Sequence, residues 1–152
     1  MIIKRNQGFY LVSANPDLEK EILEPAIPHN FLVDRGYINS KLPRIRLYKT
    51  WEDAISGIYL SEIPPRKLFV YKALYIRPDN LVKPELQDAP YGLVLPEWWY
   101  LTTMRVKKVS EIEIPGKILR EEEYHYGPRQ TIAKIRRWKY IEIKKPWEKS
   151  NK

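Results

Sequence analysis

The strongest constraint on the fold is a ten-residue run that is apolar on both of its alternating faces. The stretch KLFVYKALYI, residues 67–76, sets Leu68, Val70, Leu74 and Ile76 against Phe69, Tyr71, Ala73 and Tyr75. Apolar residues on both faces are what a central strand of a sheet needs. The run therefore predicts a central strand.

The clearest helix signal lies in TWEDAISGIYL, residues 50–60. Thr50 can cap the helix, with Asp53 three residues on. Apolar residues then recur at helical spacing, namely Trp51, Ala54, Ile55, Ile58 and Tyr59. The spacing predicts an amphipathic helix with one buried face.

Shorter alternating stretches predict further strands. They are GFYLVS (8–13), PRIRLYK (43–49) and the region 98–101. In MRVKKVSEIEI (104–114) the alternation changes phase, which predicts a β-bulge near residues 107–110. Together these patterns predict an α+β fold: a β-dominated single domain with one amphipathic helix and a basic C-terminal segment.

Composition narrows the function classes. The 152 residues fit one domain. The absence of cysteine excludes disulfides and thiolate metal sites, and two histidines, His29 and His125, argue against a zinc site. The chain has no apolar run of about 18 residues, and its first residues lack the apolar core of a signal peptide. We expect a cytoplasmic protein with no metal and no membrane partner.

The positive charge is concentrated near the C-terminus. Nine basic residues and two acidic ones lie in 128–152, so this segment carries +7 of the formal net charge of +8. We expect a core domain over residues 1–120 and a linker with a basic segment over 121–152, the linker being EEEYHYGP (121–128). Residues 131–137 could be helical, and WKYIEIKK (138–145) predicts a last strand.

Aromatic residues lie among these cations, a combination typical of nucleic-acid binding. The candidate contact residues are Lys134, Arg136, Arg137, Trp138, Lys139, Lys144 and Lys145. Residues 128–152 could thus bind nucleic acid or an acidic protein surface. Alternatively, Trp138 and Tyr140 pack on the core while the lysines protect a sheet edge.

Four pieces of the chain, in order, resemble small ADP-ribosyltransferase-like proteins, including uncharacterised ones from phages and mobile elements. The pieces are FYLVSANPDL (9–18), PRIRLYKTWEDAI (43–55), KLFVYKAL (67–74), and PEWWYL (96–101) followed by MRVKKVSEIEI (104–114). The resemblance covers roughly residues 9–114 and implies NAD as a possible cofactor. It also implies roles for particular residues. Tyr10 and Ser13 match the first-strand motif, and Glu97 is the candidate catalytic glutamate.

The second matched piece supplies Arg44 and Tyr48 as further candidate ligand-binding residues. The first strand departs from the family, because Leu11 occupies the position of the histidine that holds the adenosine ribose. Leucine cannot hydrogen-bond a ribose hydroxyl. The resemblance therefore implies a non-enzymatic or weakly active protein that binds a nucleotide or a macromolecular partner. If it does not hold, Glu97 is a surface acid that begins a strand. The alternatives are a basic nucleic-acid-binding protein and a subunit of a larger assembly.

Overall fold

The computed structural model describes residues 8–26, 43–56, 66–83, 97–125 and 131–143. Within these ranges the strands are β1 (Tyr10–Ser13), β2 (Ile45–Tyr48), β3 (Arg66–Leu74), β4 (Leu81–Val82), β5 (Glu97–Tyr100), β6 (Arg105–Ile114), β7 (Ile118–His125), β8 (Thr131–Trp138) and β9 (Ile141–Ile143). One α-helix, α1, spans Trp51–Ser56, and 3₁₀ turns occupy Leu18–Lys20 and Pro78–Asn80. The prediction of a β-dominated α+β domain is confirmed.

Seven strands form one antiparallel sheet in the order β4-β5-β2-β1-β3-β6-β9. Strand β3 lies between β1 and β6, as its two apolar faces predict. Alternate side chains of β3 pack into two separate cores, one on each face of the sheet. Leu68 and Val70 pack with Tyr10, Trp51, Ile55, Ile112, Ile114 and Trp138 on the face that carries α1. Phe69, Tyr71 and Ala73 pack with Ile45, Leu47, Tyr100, Met104 and Val106 on the opposite face.

Helix α1 forms for the reason that the sequence suggests. The Asp53 backbone N–H donates to Thr50 Oγ1 at 3.0 Å, which caps the first turn. Trp51, Ala54 and Ile55 are buried against the sheet. The other predicted helix residues, Ile58 and Tyr59, lie outside the described residues.

The predicted bulge in β6 is also present. Val70 pairs with Ser110 and the next residue, Tyr71, pairs with Lys108, so Val109 is the additional residue. The extra residue shifts the alternation of side chains by one position, so residues before and after it change faces relative to each other. As a result, Val106 and Ile112 lie in the two opposite cores.

Two predictions in the C-terminal region are wrong. Residues 121–125, predicted as part of a linker, lie in β7. Residues 131–137, which the sequence pattern allows to be helical, lie in β8. The two strands form an antiparallel hairpin. Its register places Glu121 opposite Arg136 and Glu123 opposite Lys134. The acidic run of β7 therefore lies in backbone register with the basic run of β8. The predicted strand over 138–145 is shorter, since Trp138 ends β8 and β9 begins at Ile141.

Candidate ligand-binding cleft

The sheet opens between β1 and β2. These neighbours share a single register pair, Tyr10 with Tyr48, whereas β1 pairs with β3 along its whole length. A cleft of about 470 Å³ lies at this opening. Its volume falls within the range of about 300–1,000 Å³ that is usual for small-molecule sites.

The cleft combines polar groups with an apolar wall. Among the described residues that line it, the polar or charged ones are Ser13, Arg46, Tyr48 and Arg66. The others are Leu11, Val12, Ala14, Leu18, Ile45, Ala54 and Leu68. Two cations beside apolar surface suit a ligand that carries both an anionic group and a flat or aliphatic part.

One rim of the cleft is tied to the core by Tyr71. Its hydroxyl donates to the backbone carbonyl of Asn15 and accepts the backbone N–H of Leu18 at 3.3 Å. Burial raises the pKa of Tyr71, with the nearby carboxylates of Glu19 and Asp17 acting in the same direction. In the same turn Ser13 Oγ accepts the Asn15 backbone N–H at 3.1 Å, which leaves the Ser13 hydroxyl proton able to meet a ligand.

The opposite wall is held by Glu97, which lies directly across from Tyr48 in the β2–β5 register. The Tyr48 hydroxyl donates to Glu97 Oε2 at 2.9 Å, and Trp99 Nε1 donates to Oε1 at 2.6 Å. Glu97 is 3% exposed and does not line the cleft. It is therefore not a surface acid. In this arrangement its carboxylate fixes Tyr48 from behind the cleft wall.

Arg44 completes this buried polar group. Its guanidinium carbon lies 3.8 Å from the centroid of the Trp99 ring, a cation–π stack. Burial lowers the pKa of Arg44 to about 10, although the charge of Glu97 opposes that shift. Arg44 is 3% exposed and is not among the residues that line the cleft. Its contacts are those of a residue that packs β2 against β5.

The structure thus divides the candidate ligand-binding residues. Ser13 and Tyr48 line the cleft, as does Leu11, the position where the resembled family has histidine. Tyr10 is fully buried in the core and packs edge-on against Trp51, with ring centroids 6.3 Å apart. The cleft therefore gathers only part of the predicted set.

The candidate nucleic-acid residues are divided as well. Arg137 Nη1 lies 2.5 Å from Asp53 Oδ1, and its Nε lies 3.3 Å from Glu122 Oε1. Burial alone lowers the pKa of Arg137, but hydrogen bonds and charges from these two carboxylates outweigh it, so the pKa is raised. Trp138 is 6% exposed and belongs to the core on the α1 face. A base could stack on Trp138 only if that core opened.

The other basic candidates have different surroundings. Lys134 and Arg136 occupy β8 positions opposite glutamates of β7, and Lys139 is exposed after the end of β8. Lys144 and Lys145 lie outside the described residues. Tyr140 packs against the core and donates its hydroxyl to Glu52 at 2.9 Å, as the alternative reading of this segment expects for Trp138 and Tyr140.

Sequence reasoning missed Arg46 and Arg66, the cations among the described residues that line the cleft. Strand alternation could have placed Arg46 on the same face as Tyr48, two residues away. Arg66 begins β3, and only the tertiary arrangement brings it to the opening beside β1. Neither residue forms part of a recognisable motif.

Comparison with protein-family models, curated proteins and solved structures returns no match to this chain. Among the described residues, no helix is long and apolar enough to cross a membrane. Within the same part of the chain, no group of three or more acidic or histidine side chains is placed to hold a metal ion.

Proposed function

We propose that this protein is a cytoplasmic ADP-ribosyltransferase-like domain of phage or mobile-element type that binds a nucleotide in the cleft between β1 and β2, with little or no turnover. The observation that carries the proposal is the pairing of two arginines with an apolar wall in one opening. Arg46 and Arg66 supply positive charge for phosphate oxygens, and the apolar residues can cover a base or a ribose.

The family resemblance is supported by two positions. Leu11 and Ser13, which the resemblance assigns to the ligand site, both line the cleft. Two observations support weak or absent catalysis. Leu11 offers no hydrogen bond to a ribose. Both carboxylate oxygens of Glu97 already accept hydrogen bonds, so this side chain is held away from the cleft.

Isothermal titration with ADP-ribose, NAD and inorganic phosphate tests the binding site. The double variant Arg46→Gln/Arg66→Gln should weaken binding of phosphate-bearing ligands by about 10- to 140-fold for each charge-assisted hydrogen bond lost. The matched control is Arg77→Gln/Arg105→Gln, which removes two exposed arginines outside the cleft. Equal losses in both double variants would show that binding depends on net charge and not on the cleft.

A gain of affinity tests the resemblance itself. Leu11→His restores a ribose partner at the matched position, so it should tighten binding of ADP-ribose and NAD while leaving inorganic phosphate unchanged. The same improvement for all three ligands would indicate a simple charge effect. A loss for ADP-ribose would count against the proposed orientation of the ribose.

Catalysis is tested by incubating the protein with labelled NAD and candidate acceptors. We expect NAD to stay intact. NAD turnover that Glu97→Gln abolishes would overturn this part of the proposal and make the protein an enzyme.

A further inference from the structure

A second surface, on the sheet face opposite α1, combines partly exposed aromatic rings with lysines. We call it the Trp98 patch; it consists of Phe9, Lys49, Lys83 and Trp98. None of these residues lines the cleft between β1 and β2. The patch is therefore separate from the proposed nucleotide site.

Trp98 forms the centre of the patch. Its neighbours in β5, Trp99 and Tyr100, are each 2% exposed, whereas Trp98 is only partly buried. Phe9 packs edge-on against it with ring centroids 5.7 Å apart and planes at 73°. This contact fixes the orientation of the indole, so a partly exposed ring is presented in one defined position.

Two ammonium groups flank the ring. Lys83 Nζ lies 4.8 Å and Lys49 Nζ 5.5 Å from the Trp98 ring centroid, and Lys49 Nζ is also 5.4 Å from that of Phe9. Both lysines are exposed, and within the described residues neither forms an ion pair with a carboxylate. Lys67 and Arg137, by contrast, have acidic partners. The patch therefore presents positive charge beside an aromatic platform.

We infer that the Trp98 patch binds single-stranded nucleic acid. An unpaired base offers a flat ring to stack on Trp98, and the phosphates beside it offer anionic oxygens to Lys49 and Lys83. Lysine has a long flexible side chain, so both ammonium groups can turn from the ring to those phosphates when a base stacks there. A duplex keeps its base faces stacked on one another and so meets only the lysines. An acidic peptide would use the charges but would leave the aromatic surface unused.

Fluorescence anisotropy with a labelled oligothymidylate of about 12 nucleotides, within the usual site sizes of single-strand binders, tests this inference. Affinity should fall as salt rises, by about 0.7 in the logarithmic slope for each phosphate contact. The double variant Lys49→Gln/Lys83→Gln should therefore bind more weakly and lower that slope by about 1.4. The matched control Lys107→Gln/Lys117→Gln removes two exposed lysines elsewhere and should keep the wild-type slope.

Stacking is tested by substitutions of the ring. Trp98→Ala should weaken oligothymidylate binding by about 5- to 140-fold, the range found when a stacked base loses its aromatic partner. Trp98→Phe keeps an aromatic face and should retain most of the affinity, which guards against a loss due to misfolding. A duplex of matched length should bind less tightly and be insensitive to Trp98→Ala.

Several results would overturn the inference. One is no binding of the oligonucleotide at low salt. Another is a control double variant that loses as much affinity as the patch variant, which would assign binding to overall charge. A third is equal binding by Trp98→Ala and the wild type. The cleft variant Arg46→Gln/Arg66→Gln should bind the oligonucleotide normally, so failure here is distinguishable from failure of the nucleotide proposal.

Discussion

Replacing Trp138 by alanine should destabilise the whole domain, although this residue lies in a segment whose composition suggests a separate arm. Trp138 is 6% exposed and packs with Tyr10, Trp51 and Ile55 on the α1 face of the sheet. A buried aromatic side chain removes about 150–250 Å² from water. At about 25 cal/mol per Å², that burial is worth about 4–6 kcal/mol, and truncation to alanine in a core costs about 3–5 kcal/mol.

Urea unfolding, followed by far-ultraviolet circular dichroism, measures this loss as a lower midpoint at an unchanged slope. Lys139→Ala is the matched control, because the neighbouring side chain is exposed and its loss should change the free energy of unfolding by less than about 0.5 kcal/mol. A chain that ends at residue 127 loses Trp138 together with the ion pair between Arg137 and Asp53. Since domains of this size are stable by only about 5–15 kcal/mol, it should not fold cooperatively.

Two results would refute the reasoning. The first is a Trp138→Ala protein whose free energy of unfolding falls by less than about 1 kcal/mol, well below the cost of a core truncation. The second is a chain ending at residue 127 that unfolds with the wild-type midpoint. Either one would make residues 128–152 a dispensable arm.

Three further substitutions have defined outcomes. Ile55→Ala, in the buried face of α1, should lower the free energy of unfolding by about 2–5 kcal/mol in urea titration, and a neutral effect would remove the helix from the core. Glu97→Gln should cost about 1–3 kcal/mol in the same assay, because an amide offers one oxygen where two donors now bind, and unchanged stability would contradict that role. Burial raises the pKa of Tyr71 in the folded protein, so the unfolded chain releases the phenolic proton at a lower pH. The stabilisation that this pKa shift contributes is complete below pH 10.0 and is lost as the pH rises through the raised pKa of the folded protein. Tyr71→Phe should therefore lose stability above that pH less steeply than the wild type, by up to about 1.4 kcal/mol per pH unit, and equal slopes would refute this.

The elements that the sequence predicts correctly are those whose signal is local. The alternation of residues 68–73 indicates two buried faces, and the phase change in β6 indicates its bulge, because each pattern is contained within one strand. The pattern was wrong at its end, since β3 stops at Leu74 and Tyr75 is 90% exposed. The helix beginning at Trp51 is likewise marked by its own cap and spacing. None of these predictions requires knowledge of what lies across the sheet.

The β7–β8 hairpin shows where local patterns fail. Three consecutive glutamates, 121–123, have the composition of a solvated linker. In the structure these glutamates lie in a strand, because β8 pairs with them in a register that sets Arg136 opposite Glu121. The register is a property of two strands, so neither strand reveals it alone. Trp138 was ambiguous for the same reason, since its core partners lie more than 20 residues away in the sequence.

The cleft was only partly foreseeable. Its lining residues Ser13 and Tyr48 were candidates because of the family resemblance, but the opening itself comes from a pairing that stops after Tyr10 and Tyr48. No sequence pattern indicates that the pairing of two strands stops after one residue pair. Glu97 was conspicuous between a proline and three aromatics, yet only the register with Tyr48 explains why an acid lies there.

The same reasoning changes how the net charge bears on function. Counted by segment, almost all of the +8 belongs to residues 128–152. In the structure, however, Arg137 of this segment is paired with Asp53 and Glu122. An anion that approaches Arg137 must compete with the two carboxylates that already bind its guanidinium. Lys49 and Lys83 have no such competitor among the described residues, which is why we propose nucleic-acid binding beside Trp98 and not at Arg137.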